Sequence, residues 1–194
     1  MKMNPTALTF ALATSAMALL IATLPSAHAG KAHEHGVAKL DVAIEGNKLT
    51  VALESPLDSL LGFERAPRTD AERKAASDVL ARLRSGGELF KPDPAAQCTL
   101  SKAEVSAPVL EPTNTAIGKA PVSGAAAKAA GDEHADLEAS YEYTCGQPQQ
   151  LRTLELGLFV AFKRMQRIEV QVAGTQGQSK VTLKRPARTV KLVR

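Results

Sequence analysis

Residues 136–145 alternate strictly with period two. Leu137, Ala139, Tyr141, Tyr143 and Cys145 fall on one face, and Asp136, Glu138, Ser140, Glu142 and Thr144 on the other. Side chains of a strand point alternately to its two faces, so this run is a strand with one face in a core and one in water. Its inner face ends in Cys145, one of only two cysteines in the chain. The other, Cys98, opens a second strand-like run that reaches Val105. Between the two runs lies a segment at about 106–133, rich in Ala, Pro, Gly and Lys and without large apolar periodicity. Such a composition buries too little apolar area to offset the entropy of ordering, so it reads as a long flexible insertion. Any fold for this chain must therefore bring two cysteine-bearing strands together across a segment that adds nothing to the core.

The compartment follows from the N-terminus. Lys2 is followed by an apolar run from Ala7 to Leu24, diluted only by Thr and Ser, and then by Ala27-His28-Ala29 with small residues at both cleavage positions. This is the pattern of a secretory signal peptide over 1–29, cut after Ala29. The alternative is an uncleaved anchor, since such a run nearly spans a bilayer. No later segment is apolar enough to cross a membrane, so after cleavage no span remains. Two cysteines in an exported chain, without a Cys-x-x-Cys pair, favour one disulfide, Cys98–Cys145, over two free buried thiols. Closing a loop of roughly 50 residues is worth about 4 kcal/mol by chain entropy, an upper figure.

The remainder, 30–194, is the size of a single domain. Leu40, Val42 and Ile44 alternate with polar positions, Glu45-Gly46-Asn47-Lys48 is a turn signal, and Leu49, Val51 and Leu53 alternate again. That is a β-hairpin. Ile168, Val170 and Val172, the turn Gly174-Thr175-Gln176-Gly177, then Val181 and Leu183 make a second. Ser55-Pro56-Leu57-Asp58 reads as the capped start of a short helix to about Leu61. Thr69-Asp70-Ala71-Glu72 is a capping box for a longer one. Ala75, Ala76, Val79, Leu80 and Leu83 sit at helical spacing behind it, and Gly86-Gly87 ends it. Phe159 to Met165 reads as a third short helix. The fold class is α+β: antiparallel β-hairpins with two or three short helices and the long insertion.

Composition narrows the function. The formal net charge is +4, with Lys and Arg scattered among acids. Nucleic-acid binding would require a dense basic stripe, usually with stacking aromatics. Only the C-terminal run holding Lys180, Lys184, Arg185, Arg188, Lys191 and Arg194 lacks acids, and such a strand is ordinarily a solvated edge. No nucleophile elbow, P-loop or dinucleotide fingerprint is present. The expectation is a protein that is not an enzyme and has no catalytic residues.

Three histidines remain after cleavage: His33, His35 and His134. In an extended His33-Glu34-His35, the two imidazoles share a side, roughly 6–7 Å apart at Cα. His134 stands just before the Tyr141 strand and is followed by Asp136. If that strand lies beside the N-terminal one, three imidazoles and a carboxylate meet. Such N and O donors suit Zn²⁺, and also Cu²⁺ or Ni²⁺. The plain alternative is a solvated N-terminal arm.

Three stretches then carry a resemblance. They are Ala32-His33-Glu34-His35-Gly36-Val37-Ala38-Lys39-Leu40, Leu53-Glu54-Ser55-Pro56 with Gly62-Phe63-Glu64, and His134-Ala135-Asp136-Leu137 leading into Tyr141-Glu142-Tyr143-Thr144-Cys145. In this order they resemble the ZrgA-like family of zinc-regulated periplasmic proteins. The resemblance implies zinc as the bound metal, the periplasm as location, and components of a zinc ABC transporter as partners. It places the metal on His33, His35, His134 and Asp136. Two departures stand out. Many relatives carry His after Gly-Phe-Glu, where this chain has Arg65, and many carry a His-rich central tract, which 106–133 lacks. The expected function is a periplasmic zinc-binding protein accessory to high-affinity uptake or storage. The rivals are a metal-free envelope interaction module and a copper or nickel carrier.

Overall fold

The computed structural model describes residues 34–110 and 135–192. The expected signal peptide, His33, His134 and most of the expected insertion lie outside the described residues. Ahead of that gap the chain still packs. A 3-10 turn over Pro108–Leu110 follows the end of a strand, and both Ala107 and Leu110 are buried.

Among the described residues, nine strands and three α-helices follow in the order β1 (Val37–Glu45), β2 (Lys48–Pro56), α1 (Leu57–Leu61), α2 (Asp70–Ser85), β3 (Phe90–Pro92), β4 (Cys98–Ser106), β5 (Asp136–Cys145), β6 (Thr153–Leu156), α3 (Leu158–Ala161), β7 (Arg167–Gly174), β8 (Gly177–Lys184) and β9 (Thr189–Lys191). Six strands form one sheet in the order β4-β5-β2-β1-β7-β8, and β3-β6-β9 form a small second sheet. Both expected hairpins are present. Glu45 pairs with Lys48 and Gly174 with Gly177, each across a two-residue turn. Gly46 takes a φ of 61°, which a tight hairpin turn demands and glycine adopts without strain.

The large sheet is mixed. β1 and β7 run parallel, with Val37 opposite Arg167 and Val42 opposite Val172. This pair joins the two hairpins into one layer. One face of the sheet carries the buried Leu40, Val42, Val51, Leu53, Tyr141 and Val170. Against that face lie Ala76, Leu80 and Leu83 of α2, Phe90 of β3, Leu154 and Leu156 of β6, and Leu158 and Phe159 of α3. Two phenols fasten this layer to the sheet. Tyr141 donates to the carbonyl of Leu83 at 2.9 Å and Tyr143 to that of Phe90 at 3.1 Å. Burial pushes the Tyr143 hydroxyl up to about 12.

Cys98 and Cys145 are joined in a disulfide and face each other across β4 and β5. The strand alternation predicted for 136–145 matches the burial along β5 position by position.

Two local expectations need correcting. Ser55 does not cap a helix. β2 continues through Pro56, paired with β5 as far as Asp136, so Ser55 stays extended with its side chain in the core. α1 begins at Leu57 without a side-chain cap. The helix expected at Phe159–Met165 is the four-residue α3, Leu158–Ala161. Beyond it, Arg185 donates to the carbonyls of Phe162, Lys163 and Met165 at 2.9–3.0 Å. Those acceptors are thereby engaged from outside the segment.

The capping box of α2 is complete. Thr69 Oγ1 accepts from the Glu72 backbone, and Glu72 accepts from the Thr69 backbone. Glu72 also accepts a forked pair of bonds from Arg65, at 2.8 and 3.0 Å, and one from the Arg68 backbone. The Arg65 guanidinium first, then the Arg68 amide, holds this carboxyl down to about 2 from the usual 4.5. A carboxyl depressed in the folded state adds stability above its unfolded pKa and loses it as pH falls toward the folded value. Glu72→Gln is therefore expected to lower the melting temperature at pH 7, with the gap closing between pH 4.5 and 2. Thermal melts at pH 7, 4 and 2 check this, and a gap unchanged at pH 2 would contradict it.

Candidate metal site

The sheet topology gathers three chain ends. β1 starts, β2 ends and β5 starts at the same edge, because β1 and β5 are both antiparallel to the β2 between them. His35 precedes β1 by two residues, Asp58 follows β2 by two, and Asp136 is the first residue of β5.

His35 sits in a turn, not in an extended arm. The Val37 amide donates to the Glu34 carbonyl at 3.1 Å, and Gly36 has a φ of 77°. His33, the other half of the expected His33-Glu34-His35 pair, lies outside the described residues. The turn is pinned from three sides. The Gly36 amide donates to the buried Ser59 hydroxyl on α1 at 2.9 Å, and the Gly36 carbonyl accepts from the amides of Gln166 and Arg167. Glu34 pairs with Arg167.

The imidazole so placed lies between two carboxylates. Nε2 is 3.2 Å from Glu64 Oε1, and Nδ1 is 3.9 Å from Asp58 Oδ2. The imidazole is 59% exposed, whereas the Asp58 and Glu64 side chains are only 18% and 15% exposed. Asp58 is held by Arg164, whose Nη2 donates to Oδ1 and whose Nε donates to the Asp58 carbonyl, both at 3.0 Å. The Asp58 carbonyl also accepts from the amide of Gly62, a residue with φ of 88°. A Cβ on Gly62 would stand 3.3 Å from the Arg164 guanidinium, so the glycine lets that side chain lie close over the loop.

Of the residues expected to hold metal, the structure describes His35 and Asp136. Asp136 is half-buried and paired in register with Pro56. The neighbouring Ala135 carbonyl accepts from the Leu57 amide at 3.0 Å, one residue before Asp58. Among the described residues, no three His, Cys, Asp or Glu side chains are arranged to enclose a metal ion. Asp58 and Glu64 were not singled out from sequence. They lie 23 and 29 positions from His35, and the only signal was that Glu64 ends Gly62-Phe63-Glu64. Arg65 is turned away onto Glu72, with its guanidinium 5.1 Å from the centre of the Phe63 ring.

These features define a disulfide-linked α+β domain with a histidine and two carboxylates gathered at one edge of its main sheet. The family model described as ZrgA family zinc uptake protein matches residues 32–192, and the chain belongs to that family. No curated protein matches the sequence. Among the described residues no helix is long and apolar enough to cross a membrane.

Proposed function

We propose that this chain is an exported, non-enzymatic zinc-binding protein of the periplasm, accessory to high-affinity zinc uptake. Zinc is its cargo, and components of a zinc ABC transporter are its partners. Membership of a family named for zinc uptake supports the metal. The disulfide favours an oxidising compartment, as does the N-terminal signal pattern of 1–29.

The observation that carries the reading is the gathering of chain ends at the sheet edge. Ala135 is hydrogen-bonded to Leu57, next to the Asp58 that faces His35. In sequence, His134 immediately precedes Ala135. His33 is two residues from His35. Imidazole and carboxylate donors from these positions suit zinc.

Zinc titration of the chain beginning at Gly30 tests this, with Ni²⁺ and Cu²⁺ as competitors. One zinc bound per chain at micromolar concentration is expected, and Ni²⁺ should not displace it at equal concentration. Preferential retention of nickel would favour a nickel or copper carrier. No binding at micromolar zinc would leave the metal-free envelope module.

A further inference from the structure

We propose that Glu64 is a protein ligand of the zinc bound by His35, and that Asp58, fastened by Arg164, is the positioning residue for the imidazole. The proposal rests on the zinc-binding reading above and assigns two side chains to it that neither the sequence nor the family match singled out.

Ligand atoms about 2.0–2.1 Å from a tetrahedral zinc lie about 3.3 Å from one another. His35 Nε2 and Glu64 Oε1 are 3.2 Å apart. An ion can enter between them with little movement of either group. Asp58 does not stand at that spacing; its Oδ2 is 3.9 Å from the opposite ring nitrogen. That is too long for a hydrogen bond, but it is the side from which a carboxylate that closes the gap would accept the remaining N–H of a metal-bound imidazole, fixing the ring and raising its basicity.

Both carboxylates are largely shielded from water while facing a half-exposed imidazole. The segment that carries them is anchored at Asp58 by Arg164 and Gly62, and the turn that carries His35 is anchored through Gly36 to Ser59. The two ligand-bearing segments are thus locked to each other before any metal arrives, which lowers the ordering cost of binding.

Calorimetric titration with zinc chloride of wild type, Glu64→Gln, Asp58→Asn and Glu155→Gln tests the assignment, with thermal melts on each. Glu155, exposed on β6, serves as the remote carboxylate. Glu64→Gln is expected to weaken zinc binding at least tenfold and Asp58→Asn about tenfold, the usual size for a group hydrogen-bonded to a metal-bound histidine. Glu155→Gln should match wild type. Asp58→Asn should also change the imidazole ¹⁵N pattern of His35, which a merely structural loss would not do. Should Glu64→Gln fail to fold, the wild-type protein still decides. The carboxylate ¹³C resonance of Glu64 should shift when one equivalent of zinc is added. Wild-type binding with an unchanged affinity in Glu64→Gln, or an unmoved Glu64 resonance, would overturn this assignment and leave the zinc-binding reading standing. Absence of binding by wild type would overturn both.

Discussion

Replacing both Cys98 and Cys145 by alanine should lower the melting temperature by about 8–16 °C. The bond closes a loop with a sequence separation of 47 residues. Its removal frees the unfolded chain by up to about 4 kcal/mol. For a domain of this size each kcal/mol moves the midpoint by about 2–4 °C. The bond also holds β4, an edge strand of the large sheet, to β5 at the end of their shared ladder. Melts of the double variant and of reduced wild type should agree. Equal melting temperatures for reduced and oxidised protein would show that loop closure contributes little here.

Gly157→Ala should cost about 3 kcal/mol or more, the upper range for forcing a methyl into a packed site. Gly157 stands between β6 and α3 and donates its amide to the Leu89 carbonyl at 2.9 Å. A Cβ there would drive into the Glu88 carbonyl oxygen, with the Glu88 carbonyl carbon 3.2 Å and Leu89 Cα 3.4 Å away. All three obstacles are backbone, so no side chain can swing aside. Relief would require moving the chain that leads into β3 away from β6, opening the small sheet over the buried Phe90, Leu154 and Leu156. Gly87→Ala is the matched control, because its nearest neighbour is the Ser85 carbonyl at 3.8 Å. The Gly87 variant should stay within about 0.5 kcal/mol of wild type in chemical denaturation. A Gly157 variant as stable as the control would mean that the close approach of the two segments is not required.

Legibility in the sequence followed the range of the interactions. Gly46-Asn47 and Thr175-Gln176 mark two-residue turns between alternating runs, and both hairpins and their registers follow from local chemistry. Thr69 and Glu72 cap α2 through contacts three residues apart. The parallel pairing of β1 with β7 was not legible, since the 129 residues or so between their partners leave no local trace of it. β3, β6 and β9 have only three or four residues each, too few for a period to show. Ser55 misled because Ser-Pro-Leu-Asp reads as a helix start wherever β2 happens to stop, and pairing with β5 carries β2 on to Pro56. At the site, His35 stood out because histidine is scarce in this chain. Asp58 and Glu64 did not, because carboxylates are common and only the fold brings these two to the imidazole.

The most direct test of a zinc site shared across this sheet edge is the affinity of His134→Ala beside wild type and His35→Ala. Zinc held jointly by the turn before β1 and the residues entering β5 requires each histidine. Both single variants should then weaken binding at least tenfold while melting like wild type without metal. Undiminished zinc affinity in His134→Ala would contradict the shared site and confine the metal to the turn around His35.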